Sequence, residues 1–328
     1  MAKVEYRGSV VDVAGSVSVL DALLANGHEI PHGCRAGACQ SCLMQATQGR
    51  VPEAAQNGLK STLKAQNYFL ACRCQVETDL VVQLPQASAV RFSATVIERE
   101  LLAEDVMALR LRGDASVDYR AGQYMTLWRG ERVGRSYSLA SVPSLDAHLT
   151  FHVKRVPGGA MSGWIHDRLR TGETLQLQGP AGHCFYVPEM ADQNLLLAGT
   201  GTGLAPLYGI ARDALHAGHR GNIHLFHGAL DPAGLYLVDA LRRLEARYPN
   251  FHYHPSVLRL PARLAEGIQV GAIDRLISTA APELTGWKAF LCGAPDLVAQ
   301  LRKRVFLAGV HSADIYADAF FSTAPPPA

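Results

Sequence analysis

No run of residues in this chain is apolar for long enough to span a bilayer, so no membrane partner built on a spanning helix is expected. The start, Met1-Ala-Lys-Val-Glu-Tyr-Arg-Gly8, is polar and charged and lacks the apolar core of a secretory leader. Net charge is small, +2 over 328 residues, which leaves no bulk field to hold a nucleic acid. No internal repeat is visible, which sets aside solenoids and propellers. Charged residues make up only 18% and apolar residues 48%, an ordinary globular composition, and the length allows two or three domains. Seven cysteines is an odd count, and four of them are claimed by a metal-type motif. A reducing, cytoplasmic setting is therefore expected.

That motif is the strongest signal present. Cys34, Cys39 and Cys42 stand at C-x4-C-x2-C, and Cys72 follows after 29 intervening residues. This is the plant-type spacing of a [2Fe–2S] cluster held by four thiolates. One loop must wrap two irons and aim backbone N–H groups at the sulfurs, and Gly33, Ala36, Gly37 and Ala38 supply the freedom for it. Zinc sites favour paired C-x2-C knuckles or Cys/His pairs, which the x4 gap fits poorly. On spacing alone Cys74 competes with Cys72 for the fourth position.

Three segments and a tail follow from the patterning. Residues 1–86 read as a small mixed domain. Val4–Arg7 and Val10–Val13 alternate as a hairpin, and Ser18 and Asp21 form a capping pair before a helix that Asn26-Gly27 ends. Leu80–Leu84 reads as its closing strand, and Pro85–Ala89 as a linker. Residues 90–188 alternate with period two, clearest at 149–154 and 174–178, with turns at Pro157-Gly-Gly and Gly179-Pro180, as in an antiparallel barrel. A helix is expected near Ser162. In residues 189–322 apolar strands (195–198, 223–227, 289–292, 315–317) alternate with helical patterns, which indicates a parallel sheet with crossovers. The tail, 323–328, is expected to be disordered.

Gly199-Thr-Gly-Thr-Gly203 joins an apolar strand to a helix, where backbone amides and the helix N-terminus suit a pyrophosphate. It is not G-x-G-x-x-G, and a tight turn alone would also use glycine. Cys292-Gly-Ala-Pro295 lies at a second strand end, the edge where open parallel sheets bind ligands. Arg135-Ser-Tyr-Ser138 offers a phosphate partner, a stacking ring and a hydroxyl, although an exposed Arg and a strand Tyr are also commonplace. Gly158-Gly159-Ala-Met-Ser162 is a phosphate cradle or simply a helix start.

Together and in this order, these pieces resemble an iron–sulfur flavoprotein reductase of the ferredoxin–NADP reductase superfamily. More narrowly, they resemble the reductase components of bacterial oxygenases that carry an N-terminal plant-type ferredoxin domain. The resemblance implies a β-grasp-like ferredoxin domain, a flavin-binding β-barrel and a nucleotide-binding α/β domain. It assigns Cys34, Cys39, Cys42 and Cys72 to the cluster, with Cys72 preferred over Cys74. It assigns Arg135, Tyr137 and Ser138 to the flavin, and Gly159 and Ser162 to its phosphate. Gly201, Thr202, Gly203 and Pro206, with Cys292 and Gly293, fall to the nicotinamide nucleotide. Asp318 and Phe320 occupy a terminal acidic-x-aromatic position near the flavin face, where the family more often has Glu. Tyr137, Ser138, Cys292, Asp318 and Phe320 thus become the catalytic candidates. The implied cofactors are the cluster, FAD rather than FMN, and NADH rather than NADPH. Asp231, after the second strand, would accept from a ribose 2′-hydroxyl, and no Arg stands at position 230 to meet a 2′-phosphate. The implied partner is an oxygenase or an intermediary electron acceptor protein, met by Arg35, Gln40 and Ser41 on the cysteine loop. Cys74 and Cys184 are expected to be buried structural thiols.

Overall fold

The computed structural model describes residues 2–32, 34–37, 40–85, 91–114, 117–131, 133–260 and 265–321. Two compact units, Met1–Ala89 and Val90–Ala328, divide the chain.

The first unit contains β1 (Ala2–Tyr6), β2 (Ser9–Val13), α1 (Val19–Ala25), β3 (Leu43–Gln48), α2 (Ser61–Lys64), β4 (Tyr68–Leu70) and β5 (Leu80–Gln83). Its sheet runs β2-β1-β5-β3-β4, with β1 and β5 parallel and the other pairs antiparallel. Leu80–Gln83 is central in that sheet rather than an edge. Alternating burial in β1 places Val4 and Tyr6 in a core shared with Leu20 and Leu23 of α1. Ser18 caps α1 as its spacing predicts: its hydroxyl accepts from Asp21 N–H at 3.1 Å and donates to the Asp21 carboxylate at 2.7 Å.

The second unit begins with β6 (Arg91–Ala103), β7 (Val106–Gly113), β8 (Tyr124–Arg129), β9 (Val133–Ser138), β10 (Leu149–Lys154), α3 (Ala160–Asp167) and β11 (Thr174–Ala181). The strands form one antiparallel sheet in the order β10-β7-β6-β11-β8-β9. A bridge between Leu139 and Phe151 joins the two ends, closing a six-stranded barrel around Leu109, Leu127, Phe151 and Leu177.

There follow β12 (Leu195–Thr200), α4 (Leu204–His216), β13 (Ile223–Ala229), α5 (Val238–Arg247), β14 (Phe251–Val257), β15 (Gln269–Val270), α6 (Ile273–Ala280), β16 (Lys288–Gly293), α7 (Pro295–Leu307) and β17 (Ile315–Ala319). Every pair in this sheet is parallel, in the order β15-β14-β13-β12-β16-β17. The continuous apolar run of β12 serves both faces. Leu195 and Leu197 pack with α4 and α5, and Leu196 and Ala198 pack with α6 and α7. From β12 the chain steps to β13 on one side and later returns to β16 on the other. The carboxyl end of β12 is therefore the topological switch point. Among the described residues no helix is long and apolar enough to cross a membrane.

Candidate functional site

In the first unit the cysteine loop is sharply curled. Arg35, Gly37 and Gln40 all take positive φ, at 53°, 84° and 56°. Such conformations are unfavourable for Arg and Gln, and they persist where the surroundings impose them. The curl turns amides towards sulfur: Ala36 N–H meets Cys34 Sγ at 3.4 Å, and Gly37 N–H meets the Cys72 sulfur. Gly37 resists a larger residue because side chains rarely adopt its φ of 84°, and a Cβ there would also stand a tight 3.2 Å from Arg73 Cγ. Cys34 is exposed, Cys42 buried and Cys72 half-buried. The Cys72 thiol is pushed up to about 11 by burial and then by Cys42 beside it, with Cys34 adding to the effect and the Gly37 N–H opposing it. Thiols that raise one another in this way need a cation to hold them as thiolates, so the donor set suits an iron cluster. Cys39 lies outside the described residues, and among the rest no group of three or more His, Cys, Asp and Glu side chains is placed to hold a metal ion. Cys74 is fully buried, and burial alone pushes its thiol up to about 12. Arg35 is exposed and paired with Asp21 at 3.2 Å, while Gln40 and Ser41 are exposed.

In the second unit a cleft of about 1760 Å³ runs between the barrel and the carboxyl edge of the parallel sheet. One drug-sized ligand usually occupies roughly 300–1,000 Å³, so this cleft has room for two. Arg135, Tyr137, Ser138, Gly159, Ser162, Gly201, Thr202, Asp231, Gly293, Asp318 and Phe320 all line it. Sequence-distant motifs therefore meet in one place because β9, α3, β12, β13, β16 and β17 all end there.

On the barrel side Arg135 is exposed, with its guanidinium donating to the Gly134 carbonyl at 2.7 Å. Tyr137 is half-buried, and burial pushes its phenol up to about 12 against the charge of Arg135, so the hydroxyl stays protonated. Ser138 Oγ donates to Asp318 Oδ2 at 3.1 Å, joining residues 180 positions apart. Burial raises the Asp318 carboxyl, and this hydrogen bond partly opposes it. Ser162 Oγ accepts from Val156 N–H at 3.1 Å and so holds the Pro157-Gly-Gly turn against α3. A Cβ on Gly159 would lie 2.4 Å from that hydroxyl.

On the sheet side the glycines of the 199–203 turn divide into two kinds. A Cβ at Gly199 or Gly203 would lie 2.5 or 2.4 Å from the Cys292 carbonyl oxygen. Gly201 has φ +54° and open space where a Cβ would stand, on the cleft side. Two of the glycines thus let the turn press against β16, and the third leaves room for a ligand. Gly203, Pro206 and Cys292 are buried and do not line the cleft. The Cys292 thiol lies 3.7 Å from that of Cys184, which is also buried. Phe320 N–H donates to the Gly293 carbonyl at 2.8 Å, which fixes the end of β17 at the cleft.

The cleft also contains residues that the motifs do not announce. Lys154 and Arg155 line its barrel half, each paired with a carboxylate (Asp105 at 3.1 Å, Asp167 at 2.9 Å). Their position just before Pro157-Gly-Gly was the available signal. His152 faces away from the barrel core and its Nδ1 lies 3.2 Å from Tyr236 Oη. Burial and then Arg110 lower its pKa to about 3, so the ring is neutral. Asp274 lines the sheet half and accepts from Gln300 at 2.9 Å. Nothing in the local sequence marks it.

Three family models match the chain: a 2Fe-2S iron-sulfur cluster binding domain at residues 3–77, an oxidoreductase FAD-binding domain at 93–186 and an oxidoreductase NAD-binding domain at 197–303. Among curated proteins, the ferredoxin–NAD(P)(+) reductase component of the naphthalene 1,2-dioxygenase system of Pseudomonas putida is 30% identical over 324 residues, 97% of this chain and 98% of the relative. The phenol hydroxylase P5 protein of Acinetobacter pittii is 30% identical over 333 residues, 98% of this chain and 94% of the relative. Among solved structures, the Amycolatopsis cytochrome P450 reductase matches with a TM-score of 0.68 at 30% identity, over 98% of this chain and 99% of that one.

Proposed function

The chain belongs to the iron–sulfur flavoprotein oxidoreductases that carry 2Fe-2S, FAD and NAD(P) domains, and from that premise we propose that it is the NADH-dependent reductase component of a cytoplasmic multicomponent oxygenase. The partner class in this reading is a Rieske-type aromatic-ring-hydroxylating dioxygenase; reductases of di-iron monooxygenases, P450 enzymes or deoxysugar dehydrases are the alternative. The observation that carries the reading is the cleft, in which the flavin motif, the phosphate turn, the nucleotide turns and the terminal Asp-x-Phe face one another, on a chain that also bears the cysteine loop.

A flavin bound there would take the two electrons of NADH together and pass them on singly, as a one-electron cluster requires. The chain's own residues position and tune. Arg135, with Gly159 and the turn that Ser162 holds, binds flavin phosphate, and Tyr137 packs a neutral phenol against the ring system. Because the Ser138 hydroxyl proton is directed to Asp318, its lone pairs remain to accept a hydrogen bond from the flavin edge. Asp318 is a carboxyl raised by burial, and with Oδ2 accepting from Ser138 a proton it takes up sits on Oδ1. Gly201 and Thr202 cradle the nicotinamide nucleotide's phosphates at the α4 N-terminus, while Gly203 and Pro206 shape that end from beneath. Phe320 and Gly293 border the nicotinamide, with Cys292 behind Gly293. Cys34, Cys39, Cys42 and Cys72 hold the cluster, and Arg35, Gln40 and Ser41 meet the acceptor.

NADH preference rests on charge. The cleft cations Arg135, Lys154 and Arg155 all lie on the barrel half. The sheet half is lined by Asp231 and Asp274, with no Lys or Arg among its described residues. A 2′-phosphate would meet carboxylates there and, among the described residues that line the cleft, no counter-ion. Asp231→Asn should raise kcat/KM for NADPH about fivefold, one lost like-charge contact near the surface being worth roughly 1 kcal/mol. Equal wild-type kcat/KM for the two coenzymes would overturn the preference. The reading as a whole is tested by anaerobic NADH titration. Bleaching of the flavin followed by cytochrome c reduction is expected; no bleaching would leave a cluster-bearing sensor without turnover.

A further inference from the structure

Cys184 lies in the connection between β11 and β12, outside every motif that marks the cofactor sites. Its thiol nevertheless touches Cys292, 108 residues later, at 3.7 Å, and both are buried among Tyr186, Leu204 and Leu207. The contact is one link in a continuous line of close approaches from the barrel to the nucleotide turn. At the barrel end, a Cβ on Gly122 would stand 2.4 Å from the Cys184 carbonyl oxygen and 2.8 Å from Ile210 of α4. One residue earlier in α4, a Cβ on Gly209 would stand 3.1 Å from the Ala140 carbonyl oxygen and 3.2 Å from Ala121 Cβ. At the other end, the Cys292 carbonyl oxygen is pressed against Gly199 and Gly203, where any Cβ would clash. The line therefore reads Gly122, Cys184, Cys292, Gly203, with backbone against backbone at both ends and thiol against thiol in the middle. Backbone contacts of this kind leave no play, so the softest joint is the sulfur pair.

We propose that Cys184 is a positioning residue for hydride transfer. Its thiol seats the Cys292 end of β16, and through it the nucleotide turn, at a fixed offset from the barrel wall that carries Tyr137 and Ser138. This rests on the reading of the cleft as the meeting place of flavin and NADH. Burial first, then the neighbouring Cys184 thiol, keeps Cys292 far above the ordinary thiol range. Cys292 is consequently neutral and poorly reactive, as one half of a spacer should be and a redox partner should not. Removing Cys184 Sγ frees Cys292 to turn and lets β16 settle towards the gap. Displacement of a bound reactant by about 1 Å can cost about a hundredfold in rate while the binding contacts persist.

The test compares wild type, Cys184→Ala and Cys184→Ser as full-length holoenzymes in stopped-flow reduction of the flavin by NADH. C184A should lower the limiting reduction rate at least about tenfold, leave the NADH dissociation constant within about twofold, and C184S should restore most of the rate. A second readout needs no turnover. On flavin-free protein, alkylation of Cys292 by iodoacetamide, mapped by mass spectrometry, should quicken about tenfold in C184A and fall back in C184S. An unchanged limiting rate in C184A, a rate loss matched by an equal loss of NADH affinity, no rescue by serine, or a 184–292 disulfide in active enzyme would each overturn the proposal. Wild-type flavin that NADH fails to reduce would instead strike the functional reading itself.

Discussion

Replacing single glycines of the 199–203 turn by alanine should separate packing from ligand binding within one motif. Gly203 has φ −58° and ψ −19°, a helical conformation open to any residue. On backbone grounds alone Gly203→Ala should stabilise, by about 0.4–1 kcal/mol. Sterically it should do the reverse. The new Cβ would stand 2.4 Å from the Cys292 oxygen, 2.7 Å from its carbonyl carbon and 2.9 Å from Gly293 Cα. All three are backbone atoms of β16, whose pairing with β12 on one side and β17 on the other resists the shift that would relieve the clash. Overpacking costs typically about 1–3 kcal/mol where side chains can yield. With backbone on both sides we expect the upper end, about 3 kcal/mol, or a fall in Tm of about 6–12 °C for a unit of this size. Gly201→Ala meets no atom but must hold φ +54°, at about 1–2 kcal/mol of backbone strain. Its methyl would occupy the cleft, so its main effect should be an about tenfold weaker affinity for NADH. Scanning calorimetry and titration of the reduced nucleotide on the same preparations measure both. A Gly203→Ala protein as stable as wild type would refute the steric account, and unchanged nucleotide affinity in Gly201→Ala would refute the cradle.

Cys72→Ser should abolish cytochrome c reduction and spare reduction of ferricyanide by NADH, because only the former needs the cluster; loss of both activities would count against the route. Asp318→Asn should change the pH dependence of stability. The carboxyl is raised in the folded state, so its favourable contribution is complete below the ordinary 3.8 and is lost as pH climbs through the raised value. Asn carries no such loss, and the difference in Tm between variant and wild type should move in the variant's favour across that window and then level off. A difference that stays constant with pH would show that Asp318 does not titrate as placed. Arg35→Ala removes an exposed ion pair with Asp21, worth no more than about 1 kcal/mol, so Tm of this small unit should fall by at most about 4–8 °C. Turnover with the acceptor protein should fall and lose part of its salt dependence, while flavin reduction by NADH stays unchanged; a slower flavin reduction would contradict a docking role.

Local signals carried much of the fold. The Ser18–Asp21 cap, the apolar run at 195–198 and the alternation at 149–154 each rest on neighbours in sequence, and each stands where its pattern puts it. Elements whose apolar face is written in amphipathic residues stayed hidden. β14 reads Phe-His-Tyr-His-Pro-Ser-Val, and its Pro255 argues against a central strand, yet it pairs with β13 along its whole length. β3 and β4 escaped for another reason. Leu-Met-Gln-Ala-Thr-Gln and Tyr-Phe-Leu are too short and mixed to show a period, and they become strands through distant partners, β3 beside β5 more than 30 residues on and β4 beside β3. The seam between barrel and sheet has no local signature at all. Arg212 reaches Asp146 with two hydrogen bonds of 2.8 Å, and nothing near either residue announces the other.

The site shows the same division more sharply. A motif records which residue types a ligand needs, and it is silent about what else those residues touch. Gly199 and Gly203 are required by the Cys292 carbonyl whether or not a nucleotide binds, whereas Gly201 alone faces the opening. Three glycines that look equivalent in sequence therefore answer to two constraints. Ser138 offers a second instance: its place beside the flavin motif suggests a free hydroxyl, but the structure commits the proton to Asp318, 180 residues on. The shorter acidic side chain at 318 still reaches that hydroxyl because β17 lies next to β16 and Phe320 is tied to the Gly293 carbonyl, which holds the strand end at the cleft. Lengthening the side chain by Asp318→Glu would then carry the carboxylate past the Ser138 hydroxyl and into the cleft that both residues line. The expected result is a weakened Ser138 hydrogen bond with a titrating carboxyl retained, a small loss of stability by scanning calorimetry, of about 1 kcal/mol, without the altered pH slope of Asp318→Asn.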